Sequence, residues 1–148
     1  MSGKWILVIA NETVESPVLH KAIRASADDG ARVAVVAPAL NSRLRHWLSD
    51  EDEARRAAEL RLAGCVESLA AAGVDAEGWV GDADPLQALA DALHVFRADE
   101  LVIATHPEGR SNWLARNLVQ RARRRFRLPI LHVVVDPDRG RDAFVPAA

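Results

Sequence analysis

Uninterrupted apolar runs alternate with longer amphipathic stretches along the whole chain. Trp5–Ala10, Arg32–Pro38, Leu101–Thr105 and Pro129–Val135 are nearly continuous in Val, Ile, Leu and Ala, and Asp75–Gly81 is a weaker run of the same kind. Runs of this length bounded by polar residues predict strands buried on both faces. Between them the apolar positions recur at helical spacing. Ser16-Pro17 reads as an N-cap and first helical position, after which Leu19, Ala22, Ile23 and Ser26 share a face until Gly30. A second helix is predicted from Ser49, with Ala54, Ala58, Leu62, Cys65, Val66 and Leu69 on its buried stripe and Gly73 as its stop. Asp84-Pro85 opens a third helix carrying Leu86, Leu89, Leu93 and Phe96, and Trp113–Phe126 is a fourth, with Leu114, Leu118, Ala122 and Phe126 on one stripe.

Strict alternation of buried strands and helices predicts an α/β fold, a single-domain doubly wound parallel sheet of five strands with helices on both faces. Such a sheet leaves a crevice at the carboxyl ends of its strands where the strand order reverses. Ligand chemistry is therefore expected after the first and fourth strands, near Asn11–Ser16 and His106–Asn117. The domain spans residues 1–135. Residues 136–148, polar and proline-containing, read as a loose tail.

With 148 residues, 49% hydrophobic and 27% charged, the chain can bury a core without metals or disulfides. The single Cys65 has no partner, which fits a reducing compartment. No apolar run approaches membrane-spanning length, so a cytoplasmic protein without membrane association is expected. The acidic cluster Asp50–Glu53 suits the positive end of a helix dipole better than a metal site. The five histidines show no metal-binding spacing, and neither a Gly-x-Ser-x-Gly motif nor a readable catalytic triad is present.

Three stretches, taken in order, resemble the universal stress protein family, small domains related to the adenine-nucleotide α-hydrolase fold. ILVIANETVESPVLHKAI is similar to the family's opening strand, Asp-Gly-Ser-x-x-Ser turn and helix. GWVGDADPLQALADAL is similar to its strand, Gly-Asp/Glu turn and helix. DELVIATHPEGRSNWLARNLVQRARRRFRLPILHVVV is similar to its Thr-His-Gly-Arg-Ser segment, last helix and final strand. The histidine spacing gives no expectation of a metal; the resemblance implies strand order 3-2-1-4-5 and a binding or regulatory module that takes ATP, AMP or another adenine nucleotide. Its candidate contacts here are Asn11, Thr13, Ser16, Thr105, His106, Gly109, Arg110, Ser111, Arg116 and Asn117.

The chain departs from the family pattern where Asn11 stands for Asp and Ala104 for Gly. Arg110, Ser111, Asn112, Arg116 and Asn117 offer side chains, in place of glycine backbone, to hold an anion. Two alternatives stand beside this reading. One is a dimeric scaffold without nucleotide, acting through protein partners; the other is a slow nucleotide hydrolase using His106 and Arg110. The resemblance also implies a homodimer paired through Pro129–Val135, since an apolar edge strand invites a second chain.

The net charge of −2 hides a segregation: residues 110–127 hold seven arginines and no acidic residue. Without interleaved aromatic side chains this segment reads as a solvated helix face, and a nucleic-acid partner is not expected. Of the four tryptophans, Trp5 and Trp79 are expected in the core, and Trp113 nearest the site.

Overall fold

A computed structural model describes residues 3–10, 16–27, 30–38, 51–82, 84–105, 112–136 and 141–145. The elements are β1 (Trp5–Ile9), α1 (Pro17–Ser26), β2 (Arg32–Pro38), α2 (Glu51–Ala71), β3 (Asp75–Gly81), α3 (Pro85–Val95), β4 (Glu100–Thr105), α4 (Asn112–Arg125), β5 (Ile130–Asp136) and β6 (Arg141–Val145). The sheet order is β3-β2-β1-β4-β5-β6, and its first five strands are all parallel. That is the expected 3-2-1-4-5 arrangement with one strand added.

Local chemistry explains the helix limits. Ser16 caps α1, its Oγ accepting from the Val18 and Leu19 amides at 3.2 and 3.4 Å, and Pro17 fills the first helical position, where no N–H is needed. Asp84 and Pro85 repeat the device at α3, with Asp84 Oδ1 accepting from the Leu86 amide at 3.1 Å. At the other end of α2, Gly73 adopts φ 84°, a left-handed conformation that glycine reaches without steric cost. The Gly73 amide donates to Ala70 O and the Val74 amide to Leu69 O, so two carbonyls left open by the last turn are satisfied. The first helix stops at Ser26, four residues earlier than the Gly30 stop expected, because the Ala27 amide closes on Ile23 O in an extended cap.

The sheet separates two apolar layers. On one face Ile6, Val8, Val33, Val35, Val102 and Val133 meet Leu19 and Ile23 of α1 and Ala58, Leu62, Cys65 and Leu69 of α2. On the other, Leu7, Ile9, Ala34, Val36, Leu101, Ile103 and Ile130 meet Leu86, Leu89 and Phe96 of the α3 segment and Val119 and Ala122 of α4. Period-two alternation along each strand thus feeds both layers, which is why the strands read as continuous apolar runs. Trp5 and Trp79 both pack against the second layer, Trp5 with its ring centroid 5.2 Å from that of Phe96. The Arg32 guanidinium lies 4.8 Å from the Trp5 ring centroid.

One expectation is corrected. The segment read as a loose tail contains β6, which pairs antiparallel with β5 from His132↔Val145 to Asp136↔Arg141. The apolar edge of β5 is a template for another strand, and the chain supplies one itself after a four-residue connection, Pro137-Asp138-Arg139-Gly140, of turn-forming composition. β6 therefore occupies the edge of β5 through which the expected homodimer at Pro129–Val135 would pair. A second chain pairing with β5 would have to displace it.

Candidate functional site

Because the order runs β2-β1-β4-β5, the chain leaves β1 toward one edge of the sheet and leaves β4 toward the other. Helix α1, following β1, packs on one face, and α4, following β4, packs on the opposite face. The carboxyl ends of β1 and β4 are thus side by side with the two connections diverging from them, which opens the crevice that doubly wound sheets use for ligands. The Ala10 amide donates to Val36 O at 3.1 Å, so β1 remains tied to β2 up to the rim.

Of the residues proposed from sequence, Asn11, Thr13, His106, Gly109, Arg110 and Ser111 lie outside the described residues, as does the side chain of Arg116 in the second turn of α4. Ser16, Thr105 and Asn117 are described. Ser16 begins α1, Thr105 ends β4, and Asn117 is exposed on α4. The Ser16 hydroxyl is engaged by the N-cap, so its lone pairs point back into α1. Ala104, which replaces a glycine of the family pattern, buries its methyl in the layer beneath α1. The substitution therefore adds to the core.

Thr105 is 9% exposed and its Oγ1 lies 2.7 Å from Nε2 of His132 on β5. Thr105 pairs in register with Val134, so His132 is its diagonal neighbour two residues earlier on the same face of the sheet. Sequence reading passed over this contact. A single His at an alternating position in PILHVVV was its only signal, and the partner is 27 residues away. Burial, and secondarily the Arg123 guanidinium on α4, lowers the His132 pKa from its ordinary 6.5, which keeps the imidazole neutral at neutral pH.

The unfolded chain takes up this proton near pH 6.5 while the folded one resists it, so unfolding binds protons and stability declines as pH drops below about 6.5. Comparing urea midpoints at about pH 7 and about pH 5, the wild type should lose more stability than His132→Asn, which has no proton to gain there. Equal losses would show that His132 does not carry the dependence.

Burial pushes the Cys65 thiol up to about 11, so it is neither exposed nor ionised as a nucleophile would be. Among the described residues no group of three His, Cys, Asp or Glu side chains is placed to hold a metal. No described helix is long and apolar enough to cross a membrane.

No family model matches the chain, and no curated protein matches it in sequence. Solved structures do match in three dimensions. The hypothetical protein MJ0577 is 15% identical with a TM-score of 0.63, over 88% of this chain and 95% of that one. A universal stress protein from Archaeoglobus fulgidus is 15% identical with a TM-score of 0.58, over 89% and 98%. A universal stress protein family protein from Arabidopsis thaliana, solved with AMP bound, is 14% identical with a TM-score of 0.59, over 92% and 94%. The chain thus has the universal stress protein fold.

Proposed function

We propose that this chain, built on the universal stress protein fold, binds an adenine nucleotide in the crevice between the carboxyl ends of β1 and β4 and serves as a binding or regulatory module. The observation that carries the proposal is the order reversal at β1 and β4, with α1 and α4 leaving on opposite faces. The AMP bound to the Arabidopsis thaliana protein of the same fold supports it.

Helix α4 begins at the rim with no acidic residue in its first turn. The amides at a helix start lack partners within the helix, and the macrodipole is positive there, so a phosphate is favoured at this point. The start of α1 is less available, because Ser16 already accepts from two of its amides. The phosphate is accordingly assigned to α4 and the nucleoside to the space above β1 and β4, where Thr105 offers its hydroxyl oxygen. Occupancy would shift the balance of surface conformations seen by a partner only in so far as those conformations differ in nucleotide affinity.

A second reading, a scaffold without nucleotide, has its own support. The hydroxyls of Ser16 and Thr105 are both already paired within the chain. Calorimetric titration with ATP, ADP, AMP and cyclic AMP separates the two. The proposal expects saturable heat with at least one of them below about 1 mM, equivalent to more than about 4 kcal/mol of binding free energy. No heat and no rise in melting temperature at millimolar nucleotide would leave the scaffold reading.

A further inference from the structure

Although the sequence alone gives no expectation of a nucleic-acid partner, we propose that the C-terminal half of α4 is a docking surface for the phosphate backbone of duplex nucleic acid. Arg121, Arg123, Arg124, Arg125 and Arg127 are all exposed. The ion pairs Lys4–Glu100, Arg32–Asp75 and Arg55–Glu59 all lie elsewhere, and among the described residues none pairs one of the five arginines with a carboxylate. The helix is fixed to the sheet by Val119 and Ala122, with Leu118 and Phe126 half-buried beside them. Its position therefore does not depend on the arginines, which are exposed, with the Arg125 guanidinium 5.6 Å from the Phe126 ring centroid.

A cationic last turn suits the negative end of the helix dipole, but one or two charges achieve that. Here Arg121 and Arg125 are like charges four residues apart on the helix, an arrangement that costs it a few tenths of a kcal/mol, and Arg127 follows just beyond its end. An anion held across them removes that cost. Arg121, Arg124 and Arg125, at spacings of three and four, share one stripe, and guanidinium groups match phosphate oxygens two at a time.

The chemistry of the surrounding face selects the partner. Between the arginines the described exposed side chains of α4 are Asn117 and Gln120, with no exposed apolar or aromatic group. A protein interface needs desolvated apolar anchors at its centre, and single-stranded nucleic acid needs stacking platforms. Duplex phosphates need neither, only exposed positive charge in water. Part of the chain's exposed negative charge is set well away from this field. The exposed acidic residues Asp75 and Glu77 sit on β3, the opposite edge of the sheet, three strand spacings from β4, on which α4 packs. At about 4.8 Å per spacing that is about 14 Å, more than one screening length of about 10 Å at 0.1 M salt. Arg121 also lies nine residues from the first residue of α4, about 14 Å along the axis, so this surface is distinct from the nucleotide crevice.

Fluorescence anisotropy of a labelled mixed-sequence DNA duplex tests the proposal. If the three stripe arginines each displace one counterion, affinity falls about 40-fold between about 50 and 200 mM salt. At the lower salt, R121Q/R124Q/R125Q should bind at least about tenfold more weakly, whereas K21Q/R24Q on α1 should bind as the wild type does, with unchanged circular dichroism melts for both. The proposal is overturned if the wild type does not bind at low salt, if the triple variant binds as tightly as the wild type, or if a polyglutamate peptide of matched charge binds as tightly as the duplex.

Discussion

Ile103→Ala should destabilise the fold by about 3 to 4 kcal/mol, within the range for truncating a buried Ile or Leu. Ile103 is 0% exposed and lies on β4 in the centre of the sheet, in register with Ile9 of β1 on one side and His132 of β5 on the other. It belongs to the layer that α3 and α4 cover. Neighbours held by strand pairing on both sides cannot collapse into the space that the two lost methyls and the methylene leave, so a cavity term adds to the transfer term. For a domain of this size the loss corresponds to a drop in melting temperature of roughly 10 °C. Val95→Ala is the internal comparison. Val95 is 78% exposed at the end of α3, and its truncation should change stability by no more than about 0.5 kcal/mol. Urea unfolding of both variants checks the contrast, and a loss below about 1 kcal/mol for Ile103→Ala would mean that the β1–β4 centre is not close-packed.

Gly81→Val should cost about 2 to 3 kcal/mol for the opposite reason. Gly81 closes β3 where α3 comes down on the sheet, and a Cβ built there would meet Val36 Cγ1 at 2.8 Å and Ala88 Cβ at 2.9 Å. The first of these contacts is with a neighbouring strand and the second with a short side chain on a helix backbone, so neither can swing away. The missing side chain is what lets α3 approach, and α3 in turn leads the chain back to the start of β4. Gly64, by contrast, is exposed in α2 and a Cβ there meets nothing within 4 Å. Gly64→Ala should therefore stabilise the protein by about 0.5 to 1 kcal/mol, by lowering the entropy of the unfolded chain. Chemical denaturation of the two variants should give shifts of opposite sign, and shifts of the same sign would place α3 farther from β3 than the fold requires.

The legible parts of the fold were those decided by local chemistry. Buried parallel strands need apolar residues on both faces, so β1, β2, β4 and β5 announced themselves as unbroken runs. Ser16-Pro17 and Asp84-Pro85 marked the starts of α1 and α3 because a capping oxygen followed by a proline satisfies a helix N-terminus from within the sequence. What escaped depended on pairing between distant segments. Arg141–Val145 alternates too briefly, and with too much charge, to read as a strand by itself; its stability comes from the edge of β5. The turn-forming Pro137–Gly140 between two extended stretches was the available clue. The Thr105–His132 hydrogen bond likewise exists only through the β4–β5 register. At the candidate site, sequence reasoning located the rim through Ser16 and Thr105. It did not foresee that both hydroxyls are engaged within the chain, since that depends on the geometry of the cap in one case and of a neighbouring strand in the other.

Nucleotide binding at the β1–β4 rim is the central claim, and an AMP titration followed by backbone amide NMR tests it most directly. The account predicts progressive shifts at Thr105, at Ala10 and in the first turn of α4, with the amides of Gly30 and Gly73, at the opposite end of the sheet, unmoved. Shifts centred on Gly30 and Gly73, or no shifts anywhere at millimolar AMP, would contradict it.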